Sequence, residues 1–119
     1  MGRKAVFFDI DGTLWDWDGI IPQSTKEAVK KLKENGHIPI LCTGRSKGHV
    51  RDKELLSMGF EGLIAACGLH VEYNDEILYE DYLDNELVKK IINVSKECNA
   101  PIVLEGKKKH WISIKGFDK

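Results

Sequence analysis

"AVFFDIDGTLWDWDG", Ala5 to Gly19, begins as an unbroken apolar run and then sets two acids one residue apart, Asp9 and Asp11, with Gly-Thr directly after them. Apolar residues that run continuously, without alternating, predict a strand from Ala5 to Ile10 buried on both faces, as in a parallel sheet. Two carboxylates at i and i+2 leave an extended strand on one side, so Asp9 and Asp11 face a common point at its tip. Held that close they repel unless a cation or proton intervenes. Magnesium answers that need, because it takes hard oxygen ligands, keeps several waters and is shared with substrate phosphates. Gly12 lets the backbone turn sharply and bring amide donors near an anion, and Thr13 adds a hydroxyl.

Working outward, apolar segments alternate with helical ones, which predicts an α/β layering around a parallel sheet. Ser24 followed by Glu27 reads as a capping box opening a helix that turns Ala28, Val29 and Leu32 inward and stops at Gly36. His37 to Cys42 forms a second strand, closed by Thr43-Gly44-Arg45. Ser46 is expected to cap another helix, ended by Gly59, and Gly62 to Cys67 a third strand. Val71, Tyr73, Ile77 and Tyr79 alternate around Asn74-Asp75 as an antiparallel hairpin. Asp84 caps a helix carrying Leu87, Val88, Ile91, Ile92 and Ser95, ended by Asn99-Ala100-Pro101. Ile102 to Leu104 and Trp111 to Ile114 close the chain as a last hairpin around Gly106 and Lys107 to Lys109. Composition shifts near residues 80 to 84, placing a domain boundary there, with 1–82 and 83–119 as the two parts.

The bulk properties narrow the function. In 119 residues, 18 basic side chains stand against 19 acidic ones, which speaks against nucleic acid or an anionic membrane as partner. No apolar run approaches a membrane span and the amino terminus lacks a signal-peptide pattern, so a cytoplasmic protein is expected. Cys42, Cys67 and Cys98 are odd in number and form no Cys-x-x-Cys pair; they are read as small apolar core residues, not as a disulfide or zinc framework. His37, His49, His70 and His110 lack metal spacing and receive no role. Trp15 and Trp17 either shape a pocket or pack against a neighbouring surface.

The strand ending in Asp9-Ile10-Asp11-Gly12-Thr13, the strand ending in Thr43-Gly44-Arg45, the spacing between them, and "GLIAACGLHVEYNDEILYE" together resemble the haloacid dehalogenase (HAD) superfamily of phosphohydrolases, in its Cof-type branch with a large inserted cap. The resemblance implies the N-terminal half of a doubly wound, Rossmann-like core plus the beginning of an α+β cap. It implies a magnesium-dependent phosphomonoesterase acting on a small phosphorylated metabolite, such as a sugar phosphate. Asp9 would be the nucleophile that forms an aspartyl-phosphate. Asp11 would be the general acid and base, its backbone carbonyl helping Asp9 to hold Mg2+. Thr43 and Gly44 would hydrogen-bond the phosphoryl group, with Gly12 and Thr13 beside them. Arg45 would orient the loop, meet substrate or form a structural ion pair.

The family pattern also calls for a later lysine and a Gly-Asp-x-x-x-Asp loop, which do not occur through Lys119. The strand Ala5 to Phe8 is accordingly expected to lie at an uncovered sheet edge. Either the chain is part of a longer protein, or self-association or another chain covers that edge. Two alternatives stay open: a catalytically incomplete module that binds phosphate or a partner, and a minimal capless phosphatase using Lys89 or Lys90 and Glu105.

Overall fold

The computed structural model describes residues 2–113. Strands β1 (Ala5–Phe8), β2 (Ile38–Cys42), β3 (Gly62–Ala65), β4 (His70–Tyr73) and β5 (Glu76–Glu80) form one sheet in that spatial order. The first three are parallel and the last two antiparallel. Helices α1 (Gln23–Glu34) and α2 (Lys53–Ser57) lie in the connections between the parallel strands. The architecture is thus α/β and Rossmann-like. Helix α3 (Asn85–Glu97) and the antiparallel pair β6 (Ile102–Glu105) and β7 (His110–Ser113) follow as a separate two-stranded sheet. The expected strand from Trp111 is present through Ser113; Ile114 lies outside the described residues.

The core gathers Ile10, Leu14, Ile21, Leu41, Val50, Leu55, Leu63 and Ala65, with Phe8, Trp15, Met58 and Phe60 packed on it. Phe8 meets Phe60 edge to face at 6.0 Å between ring centres. Ile10 and Leu14 are therefore the apolar anchors on either side of Asp11, and fix the acidic loop to the body of the domain.

Several sequence expectations need correction. β1 is not buried on both faces: it has a neighbour on one side only, its residues alternate between exposed and half-buried, and Phe7 is 56% exposed. The uncovered edge at Ala5 to Phe8 is present in the described chain. Ser24 does not cap α1; the cap position is Pro22 without a side-chain bond, and Ser24 sits inside the first turn. Proline fixes φ near the value a helix needs, so the cap falls at Pro22 and the helix starts two residues earlier than the Ser/Glu spacing suggests. On α1, Val29 is buried and Leu32 half-buried, while Ala28 is exposed.

Ser46 precedes a single 3-10 turn at Lys47–His49, and the following helix α2 is capped by Asp52, whose carboxylate accepts from the Leu55 amide at 2.8 Å. Cys42 is half-buried, but Cys67 and Cys98 are exposed, because one sits in a left-handed turn and the other at the end of α3. Asp84 caps α3 as expected, accepting from the Leu87 amide at 2.9 Å. Asn74 and Asp75 both take positive φ, 48° and 64°, the two-residue turn that matches strand twist in a hairpin. No helix among the described residues is long and apolar enough to cross a membrane.

Candidate active site at the tips of β1 and β2

Parallel pairing in the register Phe8 to Leu41 brings the residues following β1 and β2 to the same end of the sheet. Ligands of open α/β sheets collect outside those carboxyl ends. Asp9 leaves β1 exposed, and its Oδ1 accepts from the Ile10 amide at 2.9 Å. The chain then coils around the Ile10 carbonyl, which receives the amides of Thr13, Leu14 and Trp15 at 3.3, 3.0 and 3.4 Å. Gly12 adopts φ +77°, a left-handed conformation open to glycine at little cost, and its amide donates to the Trp15 carbonyl at 2.9 Å. The Gly12 and Thr13 amides are therefore engaged in the turn itself rather than pointing free at an anion. Thr13 and Gly12 are both exposed.

Thr43 is buried, its amide held by the Ile64 carbonyl at 2.8 Å, and its Oγ1 accepts from the Arg45 amide at 3.1 Å. The 3-10 turn Ala66–Gly68 braces the same loop: the Ala66 amide donates to the Arg45 carbonyl at 2.7 Å and the Cys67 amide to the Thr43 carbonyl at 3.4 Å. Gly44 is exposed between them. The strand β3 thus positions the Thr43-Gly44-Arg45 segment although it contributes no candidate side chain.

The two loops are joined by charge. Arg45 Nε and Nη2 each donate to one oxygen of Asp11 at 2.7 Å, and the Trp15 indole donates to the same carboxylate at 3.0 Å. The Arg45 guanidinium also lies over the Trp15 ring, 5.5 Å from its centre. The Arg45 hydrogen bonds, first, and the Trp15 indole, second, hold the Asp11 carboxyl below its usual range against the opposing effect of burial. The Arg45 guanidinium is held correspondingly further toward its charged form by Asp11. This contact of Asp11 with Arg45 and Trp15 was absent from the sequence expectations, which left Arg45 open among three roles.

Magnesium asks for hard oxygen donors and keeps several waters. Among the described residues no group of three or more His, Cys, Asp or Glu side chains is placed to hold a metal. The exposed Asp9 carboxylate and the Asp11 backbone carbonyl are hard donors at one strand tip, and this sparse oxygen set suits a largely hydrated Mg2+ rather than a cation caged by protein side chains. The Asp11 side chain itself is engaged by Arg45.

Lys89 pairs with Glu86 at 2.8 Å on α3, and Glu105 stands 3.4 Å from His49. Neither is among the residues bonded to Asp9 or Asp11, as a minimal capless site would require. Trp17 is fully exposed, while Trp15 packs on the core.

The family model of haloacid dehalogenase-like hydrolases matches residues 6–119. YkrA of Bacillus subtilis (strain 168) is 32% identical over 103 residues, which are 87% of this chain and 40% of YkrA. A crystal structure of a hypothetical protein from Geobacillus kaustophilus HTA426 superposes with a TM-score of 0.84 at 32% identity, covering 98% of this chain and 45% of that one. The HAD subclass IIB sugar phosphatase BT4131 superposes with a TM-score of 0.78 at 25% identity, covering 93% and 44%. The chain therefore spans less than half the length of these relatives. It belongs to the haloacid dehalogenase-like hydrolase family.

Proposed function

We propose that this chain carries the nucleophile and acid/base half of a magnesium-dependent phosphomonoesterase acting on a small phosphorylated metabolite of the sugar-phosphate kind. The observation that carries the reading is the meeting of Asp9-Ile10-Asp11 and Thr43-Gly44-Arg45 at neighbouring strand tips, joined by the Arg45 to Asp11 ion pair. Family membership and the sugar phosphatase among the structural relatives support it.

In this reading a carboxylate oxygen of Asp9 attacks phosphorus, the bond from phosphorus to the ester oxygen breaks, and the departing oxygen takes a proton from Asp11. Water then attacks the phosphorus of the aspartyl-phosphate and gives its proton to Asp11, while the bond from phosphorus to Asp9 breaks. The Thr43 hydroxyl, the Gly44 amide and the Arg45 guanidinium hold the phosphoryl oxygens, whose charge needs fixed donors more than covalent help. Gly12 contributes through its left-handed turn, and Thr13 through an exposed hydroxyl. Bound Mg2+, held by Asp9 and the Asp11 carbonyl, would neutralise phosphoryl charge.

We place the boundary between a core part, 1–82, and the start of a cap, 83–119, where the five-stranded sheet gives way to α3 and the two-stranded sheet. The open edge of β1 is assigned to pairing with a further strand, of this protein or of another chain.

The test is release of inorganic phosphate from an aryl phosphate and from a panel of sugar phosphates, with and without Mg2+. Release that needs both Mg2+ and Asp9 is expected; release indifferent to either contradicts the reading.

A further inference from the structure

Asp11 cannot serve a leaving group while three donors hold it. Its two oxygens are both taken by the Arg45 fork at 2.7 Å, and Oδ1 takes the Trp15 indole as well. Resting on the phosphatase reading above, we propose that Arg45 is an exchangeable latch. In the anion-free site its guanidinium holds Asp11; the phosphate group of the arriving substrate takes over the guanidinium and frees Asp11 to turn toward the ester oxygen.

Three features of the geometry carry this. First, the planar fork that grips a carboxylate side-on grips phosphate equally well, so the two anions compete for one donor pair. Second, the pair is open to solvent, with Arg45 38% and Asp11 53% exposed, and an exposed ion pair is cheap to part. Third, the base of Arg45 is fixed while its end is not. Its amide is bonded to Thr43 Oγ1 and its carbonyl to the Ala66 amide, so a change of partner swings the guanidinium only within reach of the same strand tip.

The surroundings give the exchange a purpose. A cavity of about 410 Å3 opens beside the pair, lined by Asp11, Gly12, Trp15, Asp16, Trp17, Gly19 and Arg45. Among those residues Asp11 and Asp16 are acidic and Arg45 alone is cationic, so a phosphate approaching Asp9 and Thr43 from this side meets one guanidinium, already engaged by Asp11. Substrate binding and release of Asp11 become a single event, and the acid/base is held aside until there is a phosphate to act on.

Trp15 reports the exchange, because its ring lies beneath the guanidinium and its indole N–H is on Asp11. The probe is inorganic phosphate, titrated in the presence of Mg2+ into the protein carrying Trp17→Phe and Trp111→Phe, with phosphate binding followed in parallel by phosphorus NMR. A saturable change in Trp15 emission is expected, tracking the binding curve. Asp11→Asn in the same background should bind phosphate several-fold more tightly, and by more than Asp16→Asn, which removes the same charge without touching Arg45. Arg45→Gln should lose the emission change.

If phosphate binds with Trp15 emission unmoved and Asp11→Asn gains no more than Asp16→Asn, the ion pair is a permanent structural one. The latch then falls while the phosphatase reading stands. If phosphate does not bind at all, both fall.

Discussion

Glu80 at the end of β5 meets Lys107, in the turn between β6 and β7, at 2.7 Å, tying the large sheet to the small one. The contact continues inward: His70, buried on β4, places Nδ1 3.1 Å from Glu80 and Nε2 2.9 Å from Glu72, and Glu72 pairs with Lys47 in the loop after Thr43-Gly44-Arg45. His70 thus stands between two carboxylates, and a continuous polar chain through Lys107, Glu80, His70, Glu72 and Lys47 runs from the proposed cap hairpin to the loop of the candidate site.

Lys107 first, then the Tyr82 hydroxyl and more weakly His70, hold Glu80 down to about 2 from an ordinary value of 4.5. A depressed carboxylate contributes stability fully above its unfolded value and loses it as pH falls through the folded one. The melting temperature of the wild-type protein should therefore exceed that of Glu80→Gln at neutral pH. The gap should narrow as pH drops from 4.5 toward 2. A gap independent of pH would mean the contact is not ionic.

The helix caps give a paired prediction. Asp84→Ala should destabilise the protein by about 1 kcal/mol, because it leaves the Leu87 amide without its acceptor. Ser24→Ala should shift stability by no more than about 0.5 kcal/mol, since Ser24 sits in the first turn of α1, where the cap position has no side-chain bond. Urea denaturation of both variants measures the contrast.

Leu14 is 1% exposed and holds the loop that carries Asp11. Leu14→Ala should cost about 2–5 kcal/mol in stability. In urea this appears as a lower midpoint with an unchanged slope.

The open edge at β1 should make the isolated 119-residue chain associate with increasing concentration, Phe7 being its large exposed apolar side chain. Static light scattering should report a mass that rises with concentration, and Phe7→Lys should lower it. A mass that stays at that of one chain would show the edge to be harmless.

Much of this fold was legible because its signals are local. The apolar runs gave all three parallel strands, Asn74-Asp75 gave the hairpin turn, and Asp84 stood one residue before the helix it caps. Ser24 misled because Pro22, two residues earlier, already suits the chain to enter a helix. The buried character of β1 was misjudged for a different reason: composition records what a strand can bury, whereas neighbours decide what it does bury.

The site was legible as two motifs but not as a contact. Arg45 and Asp11 lie 34 residues apart, and only adjacency of β1 and β2 brings them together. His70 received no role because the histidines lack metal spacing along the chain; in the fold the register shift between Val71 and Glu72 sets Glu80 across from it. Cross-strand position, not spacing along the chain, makes it the centre of a charged network.

The most direct test of the account is the rate of Mg2+-dependent phosphate release from an aryl phosphate by the wild-type protein, by Asp9→Asn and by Asp11→Asn. The account predicts that Asp9→Asn falls to the uncatalysed background and that Asp11→Asn loses about 10²–10⁴-fold. Equal rates in wild type and Asp9→Asn would contradict it.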